Sequence, residues 1–159
     1  APRAEVETLV KSTGFYRNKA KAVQLASQQL VDEHAGELPR TIEGLTSLHG
    51  VARKTANVVL GSAMGINAGM VVDTHVGRVA RRLELTDETD PVKVERDLCE
   101  QTPKRSWTDT AHRLLLHGRY VCLARSPHCA SCALNELCSA REEDPEGRWT
   151  QRAKAAAAG

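Results

Sequence analysis

Four cysteines crowd one short segment of this chain. The run CLARSPHCASCALNELC holds Cys122, Cys129, Cys132 and Cys138, with six, two and five residues between successive thiols. Sulfurs this dense either pair with one another or bind a metal. The sequence has no charged-then-apolar leader and no apolar run of about 18 residues, so it reads as cytosolic, without a membrane span. Cytosolic thiols stay reduced, which argues against disulfides. Four thiolates can hold tetrahedral zinc or an iron–sulfur cluster, and the donors alone do not separate the two. Structural zinc sites often bring together two close pairs from separate knuckles, whereas one continuous loop with a single CxxC must wrap the metal here. That favours iron–sulfur over zinc, and leaves unligated thiols as the third reading. Cys99, beside Leu98 on a helical stretch, reads as an ordinary buried thiol.

The remainder of the chain is helix-forming. Its 159 residues are enough to bury a real core. Only 3% are aromatic, and Leu, Val and Ala dominate the apolar set, which favours helices packed on helices over a sheet. Apolar periodicity predicts helices over 4–12 and 17–34, the second with Ala20, Val23, Ser27, Leu30, Val31 and His34 on one face and Gly36 as its stop. Thr41 is placed to cap a short helix with Leu45 and Leu48 inward. Ala56, Val59, Leu60 and Ala63 form the stripe of the next helix, which ends near GINAGM. Met70, Val71 and Val72 run extended into Asp73, and THVGRVARRL returns to helix. Pro91 opens a helix carrying Val94 and Leu98, and Ser106 with Asp109 forms a capping box for a helix reaching about His117. Residues 141–159 lose the period and read as a mobile tail.

The net charge of +2 conceals a segregated distribution. Residues 48–82 carry Arg53, Lys54, Arg78, Arg81 and Arg82 against the single acid Asp73, while residues 83–103 carry seven acids against two bases. A basic block of this kind suits a polyanion such as nucleic acid, or else a solvated helix face.

Within that block, LHGVARKTANVVL reads as two short helices joined by a tight hairpin. Gly50 lets backbone N–H groups approach a partner closely, and at a helix start those groups and the dipole favour a phosphate oxygen. A plain helical turn would use the same glycine. Lys54 falls in the first turn of the following helix, where the dipole and Arg53 both disfavour its ammonium form; the free amine is a carbon nucleophile. A solvated charge or a phosphate contact is the commoner use of such a lysine. Asp73 is placed as an N-cap accepting from the N–H of His75 or Val76, and a rigidly ionised cap can also stabilise positive charge developing in a cleft. The nineteen residues from Lys54 to Asp73 span one helix and a return, enough to bring both side chains to a common cleft.

Taken in order, LHGVARKTANVVL, VVDTHVGRVARRL and LLLHGRYVCLARSPHCASCALNELC resemble the endonuclease III family of bifunctional DNA glycosylases with AP-lyase activity, in the helix-hairpin-helix superfamily. The similarity runs from about residue 5 to residue 140. It implies an all-α helix-hairpin-helix DNA glycosylase fold. Residues 1–103 would form part of a six-helix barrel lobe with the hairpin motif at about 41–64, and residues 104–140 a lobe around a 4Fe-4S cluster on Cys122, Cys129, Cys132 and Cys138. The same resemblance makes Lys54 the amine that attacks deoxyribose C1′ and Asp73 the catalytic carboxylate. It assigns His49, Gly50, Val51, Ala52, Arg53 and Thr55 to a hairpin gripping phosphate, and Arg119, Arg125 and His128 to a basic DNA-facing surface. Adenine-specific relatives that share the cluster lack a lysine at this position and use activated water, so Lys54 implies a covalent lyase. The implied activity is base-excision repair on double-stranded DNA: removal of oxidised pyrimidines and nicking at abasic sites, by a monomer in the cytoplasm of a bacterial-type cell, at the nucleoid.

The chain departs from the pattern in places. The family usually has proline where this chain has His49 and glycine where it has Ala52, so an extra Cβ stands near the phosphate path and a weaker or shifted contact is expected. Family members also carry several helices before the segment equivalent to residues 5–15, and these supply part of the cluster lobe, part of the base pocket and the side chain that fills the gap left by a flipped base. The sequence as it stands lacks them, which predicts exposed apolar surface. Two further readings follow: a DNA-binding remnant without catalysis, and a zinc-bearing helical interaction protein.

Overall fold

The structure, a computed structural model, describes residues 1–140. The tail expected at 141–159 lies outside the described residues. Every regular element among the described residues is helical, in line with the composition. Contacts divide the chain into two compact units, Ala1–Ala68 and a second that starts at Gly69.

In the first unit, α1 (Arg3–Leu9) leads through a 3-10 turn (Lys11–Thr13) to α2 (Tyr16–His34). Then come α3 (Ile42–Thr46) and α4 (Arg53–Val58), and α4 continues as a π-helical segment, Val59–Ala63. Leu45, Leu48, Ala56 and Leu60 form the core, with Ala26, Leu30, Ile42, Val51 and Met64 packed around it. Each fully buried leucine contributes about 1.5–3 kcal/mol. The α2 face differs from the predicted one. Ala20 and Leu30 are turned inward, but Val23 and Val31 are 50% and 64% exposed, and Ala26 takes the inner position instead. A 3.6-residue period accommodates either stripe, and the placement of α3 and α4 decides between them.

The α4 stripe shifts for a different reason. Ala56 and Leu60 are buried as predicted, but the wider π turn changes the phase, so Ala63 faces out and Met64 packs inward. α2 stops where expected, with the Gly36 N–H bonded to Leu30 O at 2.7 Å. The left-handed turn already begins at Ala35 (φ 51°), a conformation that costs a residue with a Cβ about 1–2 kcal/mol. Leu9, Phe15, Val31 and Leu38 stand exposed on this unit.

The second unit runs from a Met70–Val72 stretch without regular structure through Asp73, whose backbone is extended, into α5 (Thr74–Arg82), then α6 (Pro91–Gln101), a 3-10 turn (Lys104–Ser106) and α7 (Trp107–Tyr120). A loop carrying the cysteines follows, with 3-10 turns at Cys129–Ser131 and Asn135–Leu137. Val76, Val79 and Ala80 of α5 bury against Val94 and Leu98 of α6 and Ala111 and Leu114 of α7, with Cys99 half-buried beside them. α5 and α7 approach so closely that a Cβ on Gly118 would stand 3.0 Å from His75 Cβ and from Val79 Cγ2. α5 and α6 share this core with α7, on the far side of the contact boundary at Ala68/Gly69.

Pro91 opens α6 as predicted, and Asp90 Oδ1 accepts from the Val92 and Lys93 N–H groups at 3.0 Å each. The capping box at Ser106 does not form. Ser106 closes the 3-10 turn with ψ 0°, away from the extended backbone from which a cap oxygen reaches back, and Asp109 pairs with Arg113 at 2.8 Å instead.

Candidate active site and cysteine loop

The hairpin is built from its caps inward. Thr41 Oγ1 accepts from the Gly44 N–H at 3.1 Å and starts α3. The chain then turns through Ser47–Ala52, where Gly50 takes φ 76°. A Cβ there would meet Ala22 Cβ of α2 at 2.7 Å, so glycine is required both by the dihedral and by the neighbour. The sequence offers Gly50 for phosphate approach or for a plain turn and does not show this contact, because Ala22 is twenty-eight residues away. Gln29, also unflagged, accepts from the His49 N–H through Oε1 at 2.6 Å. Val51 folds its side chain into the core and donates its N–H to Leu48 O at 3.1 Å.

Ala52 supplies α4 with no side-chain cap. Arg53, Lys54 and Thr55, all exposed, form the first turn of α4. That arrangement suits an anion laid across the helix start, with Lys54 beside it. Ala52 itself is exposed, so its methyl group does stand on the solvent side of the hairpin.

In the second unit, Asp73 caps α5 as predicted. Its Oδ1 accepts from the His75 N–H at 2.9 Å and from the Val76 N–H at 2.8 Å. Both bonds fall on Oδ1, so the half-buried carboxylate is held in one rotamer with its second oxygen directed elsewhere. The other end of α5 departs from the sequence reading, which counted Arg78 and Arg82 in a basic surface block. Both turn inward. Arg78 donates to Gly118 O at 2.6 Å and to Cys122 O at 3.0 Å, and burial lowers its pKa from the ordinary arginine value. Arg82 is 3% exposed and donates to Cys122 Sγ at 3.1 Å. The four-residue spacing places the two arginines on one helix face, but the sequence does not mark that face as interior.

Cys122, Cys129, Cys132 and Cys138 are all half-buried and line one cavity, together with His117 and Leu134. Burial raises the Cys138 thiol above its ordinary pKa, and charge on the other three cysteines pushes in the same direction. The Leu134 N–H points to Cys132 Sγ at 3.4 Å, and Asn135 Nδ2 donates to Cys129 O at 2.7 Å. Among the described residues, no group of three or more His, Cys, Asp or Glu side chains is placed to hold a single metal ion. The donor set, four thiols around one cavity with N–H donors aimed at two of the sulfurs, fits a group held by four thiolates. Arg119, Arg125 and His128 are exposed around this loop.

Residues 1–104 match the family described as HhH-GPD superfamily base excision DNA repair protein. Endonuclease III of Synechocystis sp. is 52% identical over 136 residues, which are 86% of this chain and 62% of that protein. Endonuclease III of Bacillus subtilis is 45% identical over 148 residues, 92% of this chain and 67% of that protein. Among solved structures, a non-covalent endonuclease III–DNA complex superposes with TM-score 0.82 at 40% identity, covering 97% of this chain and 68% of that one. A trapped endonuclease III–DNA covalent intermediate superposes with TM-score 0.81 at 44% identity, covering 87% and 65%. The chain belongs to the HhH-GPD superfamily of base-excision DNA repair proteins and, within it, to the endonuclease III family. It spans 62–67% of the length of these two curated relatives.

Proposed function

We propose that this chain binds double-stranded DNA containing oxidised pyrimidines or abasic sites, and that it acts as a DNA glycosylase and AP lyase. The observation that carries the reading is the presence, in one family member, of both an exposed Lys54 in the first turn of α4 and an Asp73 carboxylate fixed at the start of α5. The hairpin from His49 to Thr55 takes the phosphate backbone, and the damaged nucleotide is extruded from the stack. Lys54 Nζ forms a bond to C1′ as the C1′–N bond to the base breaks and the base leaves with the electron pair. Asp73 stabilises the positive charge that grows on the sugar. The C1′–O4′ bond then opens as the Lys54 nitrogen, which gives up a proton, forms the C1′=N bond and O4′ takes up a proton; in this Schiff base the C2′ proton is acidic, and its loss drives β-elimination in which the C3′–O bond breaks and the 3′ phosphate departs with the electron pair.

Residues 1–103 carry the hairpin and Lys54 in this reading, and residues 104–140 carry Cys122, Cys129, Cys132 and Cys138, which would hold a 4Fe-4S cluster. When bound, that cluster serves to cross-link the loop and so to present Arg119, Arg125 and His128 to DNA. The protein acts as a monomer in the cytoplasm; no helix among the described residues is long and apolar enough to cross a membrane.

The test is incubation of the purified chain with an abasic-site duplex, with and without borohydride, read on a denaturing gel. A nick together with a trapped adduct is the expected result. Folded, cluster-loaded protein that binds the duplex yet neither nicks nor traps would assign DNA binding without catalysis. A loaded protein without visible absorption would replace iron–sulfur by zinc.

A further inference from the structure

Arg82 is the last residue of α5 and one of few charged side chains in the interior, 3% exposed. A guanidinium is costly to bury unless its donors are matched with acceptors. Here Nη1 donates to Cys122 Sγ at 3.1 Å and to Leu123 O at 2.6 Å, and Nη2 donates to Ala124 O at 3.2 Å. The backbone oxygen of the same residue accepts from Cys138 Sγ at 3.6 Å. One residue therefore touches the first and the last cysteine of the loop, and three consecutive loop residues are held by one planar fork. A lysine, a single point charge on a flexible stem, cannot hold three acceptors in that geometry.

We propose that Arg82 is a positioning residue for the iron–sulfur cluster. It holds Cys122–Ala124 in place before metal arrives and, with the cluster bound, draws electron density from the Cys122 sulfur. The inference rests on the reading that the four cysteines hold such a cluster. A preformed loop leaves less chain to order when the cluster is inserted, so Arg82 favours assembly and retention. An N–H···S bond and a nearby positive charge both favour the more electron-rich state, so Arg82 raises the reduction potential. Because Asp73 opens the helix that Arg82 closes, the residue that steadies the cysteine loop sits on the same rigid element as the proposed catalytic carboxylate.

The experiment is anaerobic reconstitution of the purified parent, Arg82→Gln and Arg82→Lys with ferrous iron and sulfide. Bound iron, visible absorption, resistance to a chelator and reduction potential are measured on each, with circular dichroism to establish folding. The parent should load. Arg82→Gln should lose its cluster to the chelator about tenfold faster and show a lower potential, with Arg82→Lys intermediate. A purely structural role would slow assembly in both variants and leave the potential of the loaded fraction unmoved. If the parent loads and folded Arg82→Gln matches it in retention and potential, Arg82 has no such role and the cluster reading stands. Should Arg82→Gln fail to fold, a folded Arg82→Lys with parental retention and potential is equally decisive against it. A parent that takes up no iron removes the cluster reading and this inference together.

Discussion

Gly50 of the hairpin lies against Ala22 of α2 so closely that a Cβ at position 50 would stand 2.7 Å from the Ala22 methyl carbon. The glycine proposed to let phosphate approach the backbone is thus also the point where the hairpin seats on its supporting helix. Gly50→Ala adds left-handed strain at φ 76° and an overpacked contact, and should cost about 2–4 kcal/mol. Urea unfolding of the two proteins measures it; a difference under about 0.5 kcal/mol would contradict the geometry.

Gln29 ties the same hairpin to α2 through the His49 N–H at 2.6 Å. Gln29→Leu removes the acceptor and should cost about 1 kcal/mol of stability. Its larger effect is expected on DNA affinity, because the hairpin is then free to shift. Fluorescence anisotropy with an abasic-site analogue duplex gives the answer, and unchanged affinity would show that the hairpin needs no such tether.

Lys54 is exposed and its removal opens no cavity. Lys54→Ala should therefore unfold within about 0.5 kcal/mol of the parent while losing borohydride trapping to abasic DNA altogether. Trapping that persists at the parental level would remove Lys54 from the chemistry.

Asp73 caps α5, and substitution can separate that role from the catalytic one proposed for it. Asparagine caps a helix about as well as aspartate, so Asp73→Asn should keep its stability and lose about a hundredfold or more in turnover. Asp73→Ala should lose the activity and also about 1 kcal/mol of stability. If Asp73→Asn turns over like the parent, the carboxylate is only a cap.

Acid stability has an identifiable contributor in the second unit. Thr86 Oγ1 donates to Asp97 Oδ2 at 2.6 Å and Arg96 to Oδ1 at 3.0 Å, and these bonds, Thr86 first, hold the Asp97 carboxyl below its ordinary pKa. A folded-state pKa below the unfolded one gives a contribution that is complete above the ordinary carboxylate range and lost as pH falls through the lower folded value. Asp97→Asn should melt below the parent at neutral pH and converge with it in strong acid. Melting curves that stay equally separated down to low pH would rule Asp97 out.

Much of this protein was legible in its sequence, and the legible parts share a physical character. The helical class, the Thr41 and Asp73 caps and the Pro91 start each depend on residues within a few positions of one another. Such signals are local chemistry, and the chain carries them wherever it folds. The grouping of four thiols around one cavity follows equally from spacing within one short loop.

What the sequence left open was decided by packing. The periodicity of α2 admitted two inner faces, and the chosen one contains Ala26 because α3 and α4 lie against it. The π turn after Val58 moved Met64 in and Ala63 out, although nothing in the local pattern demanded it. Arg78 and Arg82 read as part of a basic surface, yet they are interior braces on the cysteine loop, because the carbonyls and sulfur they bind come from residues 118–124, some forty positions further along the chain. Sequence alone determined the helical class, the Thr41 and Asp73 caps and the clustering of four thiols in one loop; only the tertiary structure decided which charges face solvent and which brace the cysteine loop, since that depends on acceptors brought near by folding.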